Sequence, residues 1–310
     1  MSSRRQIFYG WWLISLSVFI IALATGAASH GLGVFFVALE RQFGWSRTVL
    51  SGAFALARLE GTVMGPLEGI LTDRFGSRRM VLIGYLFLAV GFFLFALSNG
   101  VISFYIAFMV IAVGQGFGGF LPMIAAVNNW FIRRRSIAIA LAGMGVYLGG
   151  VLVPILAIGI NSIGWRSMAV ILSIMFLLLA YPITRMIRNR PEEYNQLPDG
   201  DVLPQGNGPA NSGQNPGKVP AVSGYDTDFT ARQAMATSAF WLITFSHGLT
   251  AMVVGALQVH TIPMLHDAGL SLELAGTVVA IYTFLAMGSR VVGGYFGCLL
   301  YTSPRPRDRG

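Results

Sequence analysis

Four charged side chains lie inside long apolar stretches, where an ionised group is costly. They are Arg58, Glu60, Glu68 and Arg290. An ionised residue at the centre of a bilayer costs at least about 2.5–3.5 kcal/mol, so each is a candidate for function. A guanidinium carries a planar fork of donors that fits a carboxylate with two hydrogen bonds. Arg58 and Arg290 are therefore candidates for binding an organic anion, and a structural ion pair is the alternative.

The two acids, Glu60 and Glu68, are candidates for a coupling group or for an ion pair between helices. Residues 58 and 60 point about 200° apart around a helix, so Arg58 cannot face Glu60. Glu60 and Glu68 share one face, and Arg58 shares another with three glycines that end at Gly69. We expect each charge to find a partner on another helix, in a static pair or in one that opens during a functional cycle.

Six further polar residues in the apolar stretches can orient an anion or change charge near it. Histidine titrates near neutral pH, and glutamine and tyrosine can donate hydrogen bonds to a carboxylate. The six are His30, Gln115, Tyr147, His247, Gln258 and His260. A buried histidine that only satisfies its hydrogen bonds is the alternative interpretation of His30 and His260.

The stretches that position these residues are too apolar for a water-soluble protein. Of the 310 residues, 55% are hydrophobic and 11% are charged, whereas soluble domains carry about 25% charged residues. Segments of about 20 apolar residues cross a bilayer, and their backbone groups must pair internally as helices. The sequence predicts an all-α integral membrane protein with eight spans, at 10–36, 49–71, 80–97, 101–127, 137–160, 165–183, 240–265 and 274–297.

The basic residues indicate orientation rather than a nucleic-acid partner. The net charge is +8, but the arginines lie in short clusters between spans and not along one face. With the N-terminus in the cytoplasm, thirteen Arg and Lys residues lie inside and three outside, as the positive-inside rule requires. We predict a multi-pass protein of the plasma (inner) membrane. The single cysteine, Cys298, excludes a cysteine metal site, and no cofactor is expected.

Residues 185–239 have the composition of a flexible cytoplasmic linker. Six prolines mix there with Gly, Asn, Ser and Gln, a composition that cannot bury a core. The predicted linker divides a six-span bundle, residues 1–184, from two spans at 240–297.

The loop after the second span carries the most specific motif. Its residues are Gly69, Asp73, Arg74, Gly76, Arg78 and Arg79. An aspartate at a helix end can accept from the N-terminus of a facing helix, and the arginines can pair with acids or lipid headgroups. A purely topological basic loop would explain the arginines but not the acid and glycines at this spacing. The loop resembles the gating signature G-x-L-x-D-R-x-G-R-[KR] of the major facilitator superfamily, with Ser77 inserted.

The spans after the linker repeat features of the first two spans at an offset of 225 residues. The matched pairs are Gly44 with Gly269, Ser46 with Ser271, and Gly69 with Gly294. Parallel repeats of six helices build one large class of transporters. We therefore expect a bundle of which eight of twelve helices are present. Residues 298–310 do not continue the repeat, resemble translated sequencing adapter, and are predicted to be non-native.

Short phrases at 128–131, 164–166, 188–193, 197–201 and 239–242 narrow the resemblance. Together they are similar to the oxalate/formate antiporter and monocarboxylate transporter branch, over about residues 8–297. This resemblance implies that Arg290 binds the substrate carboxylate. In the superfamily an arginine linked to proton coupling often precedes the glutamine of the fourth span by three residues. Ala112 stands at that position, which puts coupling through such an arginine in doubt.

The resemblance implies a secondary active transporter of a small organic anion, a mono- or dicarboxylate, working by alternating access. Its expected partners are the anion and the bilayer, and a coupling proton or a counter-anion stays open. The sequence shows no enzyme constellation, no nucleic-acid site and no obligate protein partner. The alternatives are a drug or sugar efflux carrier of the same superfamily and a membrane sensor that does not transport.

Overall fold

The structure, a computed structural model, describes residues 8–194, 196–200, 233 and 235–302. All regular secondary structure in these residues is helical, which confirms the predicted all-α fold. The chain forms two units, Met1–Asp201 with Gln258–Gly310, and Val202–Leu257. Most of the predicted linker and the end of the predicted non-native tail, residues 303–310, lie outside the described residues.

Helices are numbered in chain order. They are α1 (Tyr9–Thr25), α2 (Leu32–Phe43), α3 (Arg47–Phe75), α4 (Ser77–Ala96), α5 (Val101–Gly118), α6 (Phe120–Trp130), α7 (Arg135–Leu148), α8 (Val153–Ile163), α9 (Trp165–Met186), α10 (Ser238–Asp267) and α11 (Leu272–Thr302). Three predicted spans are each built from two helices. A π turn at Gly26–His30 joins α1 to α2, Gly119 separates α5 from α6, and a 3₁₀ turn at Gly149–Leu152 joins α7 to α8.

Seven helical stretches of the described residues are long and apolar enough to cross a membrane. They are Tyr9–Phe43, Ser77–Ala96, Val101–Trp130, Arg135–Ile163, Trp165–Met186, Ser238–Asp267 and Leu272–Arg290. The remaining predicted span, 49–71, corresponds to α3, whose 29 residues are long enough. It is more polar than the others because it carries Arg58, Glu60 and Glu68. Its passage through the membrane stays a prediction.

Glycines bring the helices of the first unit into backbone contact. A Cβ on Gly84 of α4 would lie 2.6 Å from the Phe117 carbonyl carbon, and it would overlap the Gly118 nitrogen. A Cβ on Gly114 of α5 would lie 2.6 Å from the Leu88 nitrogen. Small residues allow such contact in a membrane, where no hydrophobic force drives helices together. The α4–α5 pair is therefore held at backbone distance.

The loops α2–α3 and α10–α11 share the geometry that the 225-residue repeat predicts. Gly44 has a φ of 66° and Gly269 a φ of 90°, both in the left-handed region that favours glycine. Ser46 accepts from the Val49 nitrogen at 3.4 Å. Ser271 accepts from the Leu274 nitrogen at 3.3 Å. Both helices therefore begin with the same serine N-cap at equivalent positions.

We predict that Gly84→Ala lowers the free energy of unfolding by about 1–3 kcal/mol, because the added methyl group overlaps backbone. Thermal unfolding of the purified protein in detergent measures this as a lower Tm. Gly61→Ala is the matched control, because a Cβ at Gly61 has nothing within 4 Å. An equal loss in both variants would contradict the importance of the α4–α5 contact.

Candidate functional site

The π turn directs two polar residues toward different neighbours. Gln115 of α5 donates through Nε2 to the Ser29 hydroxyl at 2.6 Å. His30 donates through Nε2 to the Val146 carbonyl of α7 at 3.0 Å. The His30 residue is 6% exposed, and its Nδ1 is buried with no hydrogen-bond partner in the described part. Such turns are frequent at functional sites.

Arg290 reaches α7 from α11. Its guanidinium carbon lies 5.7 Å from the centre of the Tyr147 ring. The side chain is half-buried, and no acid pairs with it among the residues that the structure describes. Among the described residues, therefore, no acid forms the structural ion pair that was the alternative interpretation of Arg290. An unpaired guanidinium at a membrane-spanning position suits an anion.

Consecutive residues of α7 bring these groups together, because Val146 meets His30 and Tyr147 meets Arg290. The group is called the polar row, and its members are Gln115, Ser29, His30, Tyr147 and Arg290. Gly143, which faces Arg290, lies eight residues from the start of α7, or about 12 Å along the helix. The row thus includes four of the eight residues predicted to bind substrate.

Arg58 and Gln258 form a separate pair of predicted binding residues. Arg58 Nη2 donates to the Gln258 side-chain oxygen at 3.0 Å, and its guanidinium lies 4.8 Å from the centre of the Phe54 ring. Arg58 follows the start of α3 by eleven residues, or about 16 Å. Its recorded partner is a neutral amide and not an acid.

The predicted coupling acids have no cation beside them among the described residues. Glu68 is 6% exposed and packs against Gly116 of α5, leaving no room for a side chain there. One oxygen of Glu60 is buried without a hydrogen-bond partner. The three glycines of α3 that share a face with Arg58 border open space, because a Cβ at residues 61, 65 or 69 has nothing within 4 Å.

Two further predicted histidines are not members of the polar row. His247 lies in the unit Val202–Leu257, which is described by itself. His260 lines a small cleft beside the α2–α3 loop. The other lining residues are Phe36, Glu40, Arg47, Leu50, Val259 and Pro263.

Charged residues join the two repeat-related loops at the end predicted to face outward. Arg47 donates to both carboxylate oxygens of Asp267, with Nη2 and Oδ1 2.7 Å apart. Arg41 Nη2 donates to His266 Nε2 at 2.5 Å. Positions 41 and 266 are 225 residues apart and so equivalent in the repeat. Equivalent residues of a twofold arrangement touch only beside its axis. These pairs were not predicted from the sequence.

Neutralising Asp267 should loosen this outer contact. Asp267→Asn removes the charge that Arg47 binds at both oxygens, and exposed pairs contribute about 0.2–1 kcal/mol. We predict a rise of up to roughly fivefold in maleimide labelling of a cysteine placed at position 259, a buried position that lines the same cleft, in a Cys298→Ser background. Glu193→Gln, at an exposed acid on the other end of the bundle, should leave labelling unchanged. Equal labelling of parent and Asp267→Asn proteins would contradict a closed outer contact.

The predicted gating loop is bound by the segment that follows α9. Gly76, with a φ of 79°, separates α3 from α4. Asn189 accepts through Oδ1 from the Arg78 nitrogen at 3.0 Å. A Cβ on Gly76 would lie 2.6 Å from Nδ2 of Asn189, so glycine is needed here.

Asp73 is exposed and has no recorded hydrogen bond in the described part, and its contact with a facing helix stays a prediction. No acid pairs with Arg74 or Arg79 in the described residues, and the surroundings of Gly69 are open.

The same segment binds the loop between α6 and α7. The Asp199 carboxylate accepts from three consecutive backbone nitrogens, those of Ile132 at 3.1 Å, Arg133 at 2.8 Å and Arg134 at 3.4 Å. The Asp199 side chain is 6% exposed. The linker predicted from residue 185 therefore begins on the bundle, since α9 continues to Met186 and contacts extend to residue 199.

Removing the Asp199 carboxylate should free these backbone groups. In Asp199→Ala, amides 132–134 should exchange hydrogen about tenfold faster, because each loses a charge-assisted hydrogen bond. Hydrogen-exchange mass spectrometry of a peptide that covers this loop measures the effect. Glu193→Ala, at an exposed neighbouring acid, is the control. Unchanged exchange in Asp199→Ala would show that the contact does not hold the loop.

Comparison with known families identifies the class. The family model described as Major Facilitator Superfamily matches residues 14–298. The chain therefore belongs to this family of membrane carriers. The predicted superfamily is thereby confirmed. So is the expectation of a multi-pass integral membrane protein that is a carrier and not an enzyme. The orientation of the N-terminus and the identity of the membrane stay predictions.

Several curated relatives carry the name monocarboxylate transporter. The chain is 34% identical over 174 residues to "Monocarboxylate transporter 4" of Gallus gallus, covering 54% of this chain and 36% of that protein. It is 31% identical over 160 residues to "Monocarboxylate transporter 7" of Homo sapiens, covering 51% and 30%. It is 29% identical over 198 residues to "Monocarboxylate transporter 14" of Mus musculus, covering 62% and 38%. The match spans about a third of these relatives' length, and it agrees with the predicted branch.

Proposed function

We propose that the protein carries a small organic anion with a carboxylate group, a mono- or dicarboxylate, across the membrane by alternating access. One observation carries this proposal: the half-buried guanidinium of Arg290 lies against Tyr147 with no acid paired to it in the described residues. The names of the relatives support the substrate class.

The polar row provides the chemistry that such an anion requires. Arg290 offers two parallel donors to a carboxylate, and the charge of the anion offsets the cost of holding the guanidinium in the membrane. Tyr147 and Gln115 add neutral donors, and the Nδ1 of His30, which has no partner in the described part, can donate to the anion when the ring is protonated. Arg58, whose side-chain partner among the described residues is an amide, is a second anion contact nearer the end predicted to face outward. His247, Gln258 and His260 remain proposed contacts of the substrate path.

Alternating access requires the two ends of the bundle to open in turn. In the described arrangement, Arg47 and Arg41 join the repeat-related outer loops, so this contact must break when the outer end opens. The loop at Asp73 is the proposed latch of the opposite end. Glu60 and Glu68, which lack a cation in the described residues, are proposed sites for a coupling proton. A counter-anion is the other coupling partner.

Arg290→Lys tests the proposed role of Arg290 as the anchor. Lysine keeps the charge but loses the two-point fork, so we expect uptake to fall about tenfold or more. The longest reading frame that contains the chain is reconstituted in proteoliposomes and tested with labelled oxalate, lactate, pyruvate and formate. Arg185→Lys, the same substitution at the end of α9, is the control.

Three results would overturn the proposal in different ways. Unchanged uptake in Arg290→Lys would remove the anchor. Flux of drugs or sugars that carboxylates do not inhibit would favour the efflux alternative. Binding of a carboxylate without counterflow would favour a sensor.

A further inference from the structure

Helix α11 runs antiparallel to α7 and α8, and the three share a seam of small residues. The facing pairs are Gly143 with Arg290, Gly150 with Thr283, and Pro154 with Gly276. Positions rise along α7–α8 while their partners fall along α11, as expected for antiparallel helices. The seam ends beside Asn161, whose amide donates to the Glu273 carboxylate.

The pairs differ in what occupies the space of the missing side chain. A Cβ on Gly150 would lie 2.7 Å from the Cβ of Thr283, and a Cβ on Gly276 would lie 3.3 Å from the Pro154 Cα. Neither neighbour can move without moving its helix. A Cβ on Gly143 would instead lie 2.8, 3.1 and 3.5 Å from Nη2, Cζ and Nε of Arg290, the end of a flexible side chain. A side chain at position 143 would therefore displace a charge and leave the helices in contact.

Gly143 and Tyr147 together bound the place where the guanidinium lies. They are four residues apart and so occupy one face of α7, one turn from each other. The guanidinium contacts this face at two places, near the Tyr147 ring and in the space that a side chain at Gly143 would fill. No ion pair in the described residues fixes Arg290 in another way.

We infer that Gly143 is a positioning residue for the anion site, because the missing side chain at 143 sets where the Arg290 fork lies. Two-point binding of a carboxylate depends on the direction of that fork, and small displacements of a binding group are costly. This inference rests on the proposed function of Arg290. It deepens that function by giving a role to a glycine that does not itself contact the anion.

Gly143→Ala tests the inference in the longest reading frame that contains the chain. The probe is the member of the oxalate, lactate, pyruvate and formate panel that the parent protein binds most tightly. We expect its affinity to fall about tenfold, with a smaller change in maximal rate and an unchanged Tm. Gly288→Ala, whose Cβ has nothing within 4 Å, should change neither the affinity nor the Tm. Gly150→Ala should lower the Tm, because it presses on Thr283.

A double-mutant cycle separates positioning from packing. In the Arg290→Lys background, Gly143→Ala should cause no further loss of affinity, because the fork that it displaces is already absent. An equal loss in both backgrounds, or no loss with arginine present, would overturn the inference and leave the anchor intact. Unchanged binding in Arg290→Lys alone, or no binding of any panel member to the parent, would instead overturn the proposed function.

Discussion

Two irregular turns meet at backbone distance in the bundle, and the position of His30 depends on this contact. A Cβ on Gly149 would lie 2.8 Å from the Gly26 nitrogen, and a Cβ on Gly26 would lie 2.8 Å from the Gly149 oxygen. Backbones this close require glycine on both sides. The contact holds the π turn beside α7, so that His30 reaches the Val146 carbonyl one residue before the position that meets Arg290.

The two ends of the bundle are held by interactions of different strength. At the outer end, the side chains of Arg47 and Asp267 are 39% and 53% exposed, and exposed pairs contribute little stability. A weak contact suits the proposed cycle, because it can open repeatedly at small cost. At the opposite end, the buried Asp199 carboxylate accepts from three backbone nitrogens. That contact binds a segment to its own half of the bundle, where the cycle requires no opening.

Local sequence patterns predict seven of the spans, because each is a long, mainly apolar run, and they predict the turns at Gly44 and Gly269 through the repeat. The breaks inside three spans were not predicted, since a glycine is also compatible with a straight membrane helix until a neighbour packs against it. The partner of Arg58 was also missed, because Gln258 is 200 residues away and no local pattern links them. The amino-acid composition of the predicted linker describes only its average character. It therefore could not predict the hydrogen bonds of one residue, Asp199, to the bundle.

The contact between positions 41 and 266 has a consequence for how two repeats can come to share one chain. In a symmetric pair of identical halves, a residue beside the axis faces its own copy, and two arginines there would repel. This chain carries arginine in one copy and histidine in the other. The histidine donates through Nδ1 to the Leu270 carbonyl at 3.0 Å, which leaves Nε2 to accept from Arg41. Only two halves with different sequences can form this arginine–histidine pair. Because both halves lie in one polypeptide, their sequences can differ, and they can close through a contact that two identical halves cannot form.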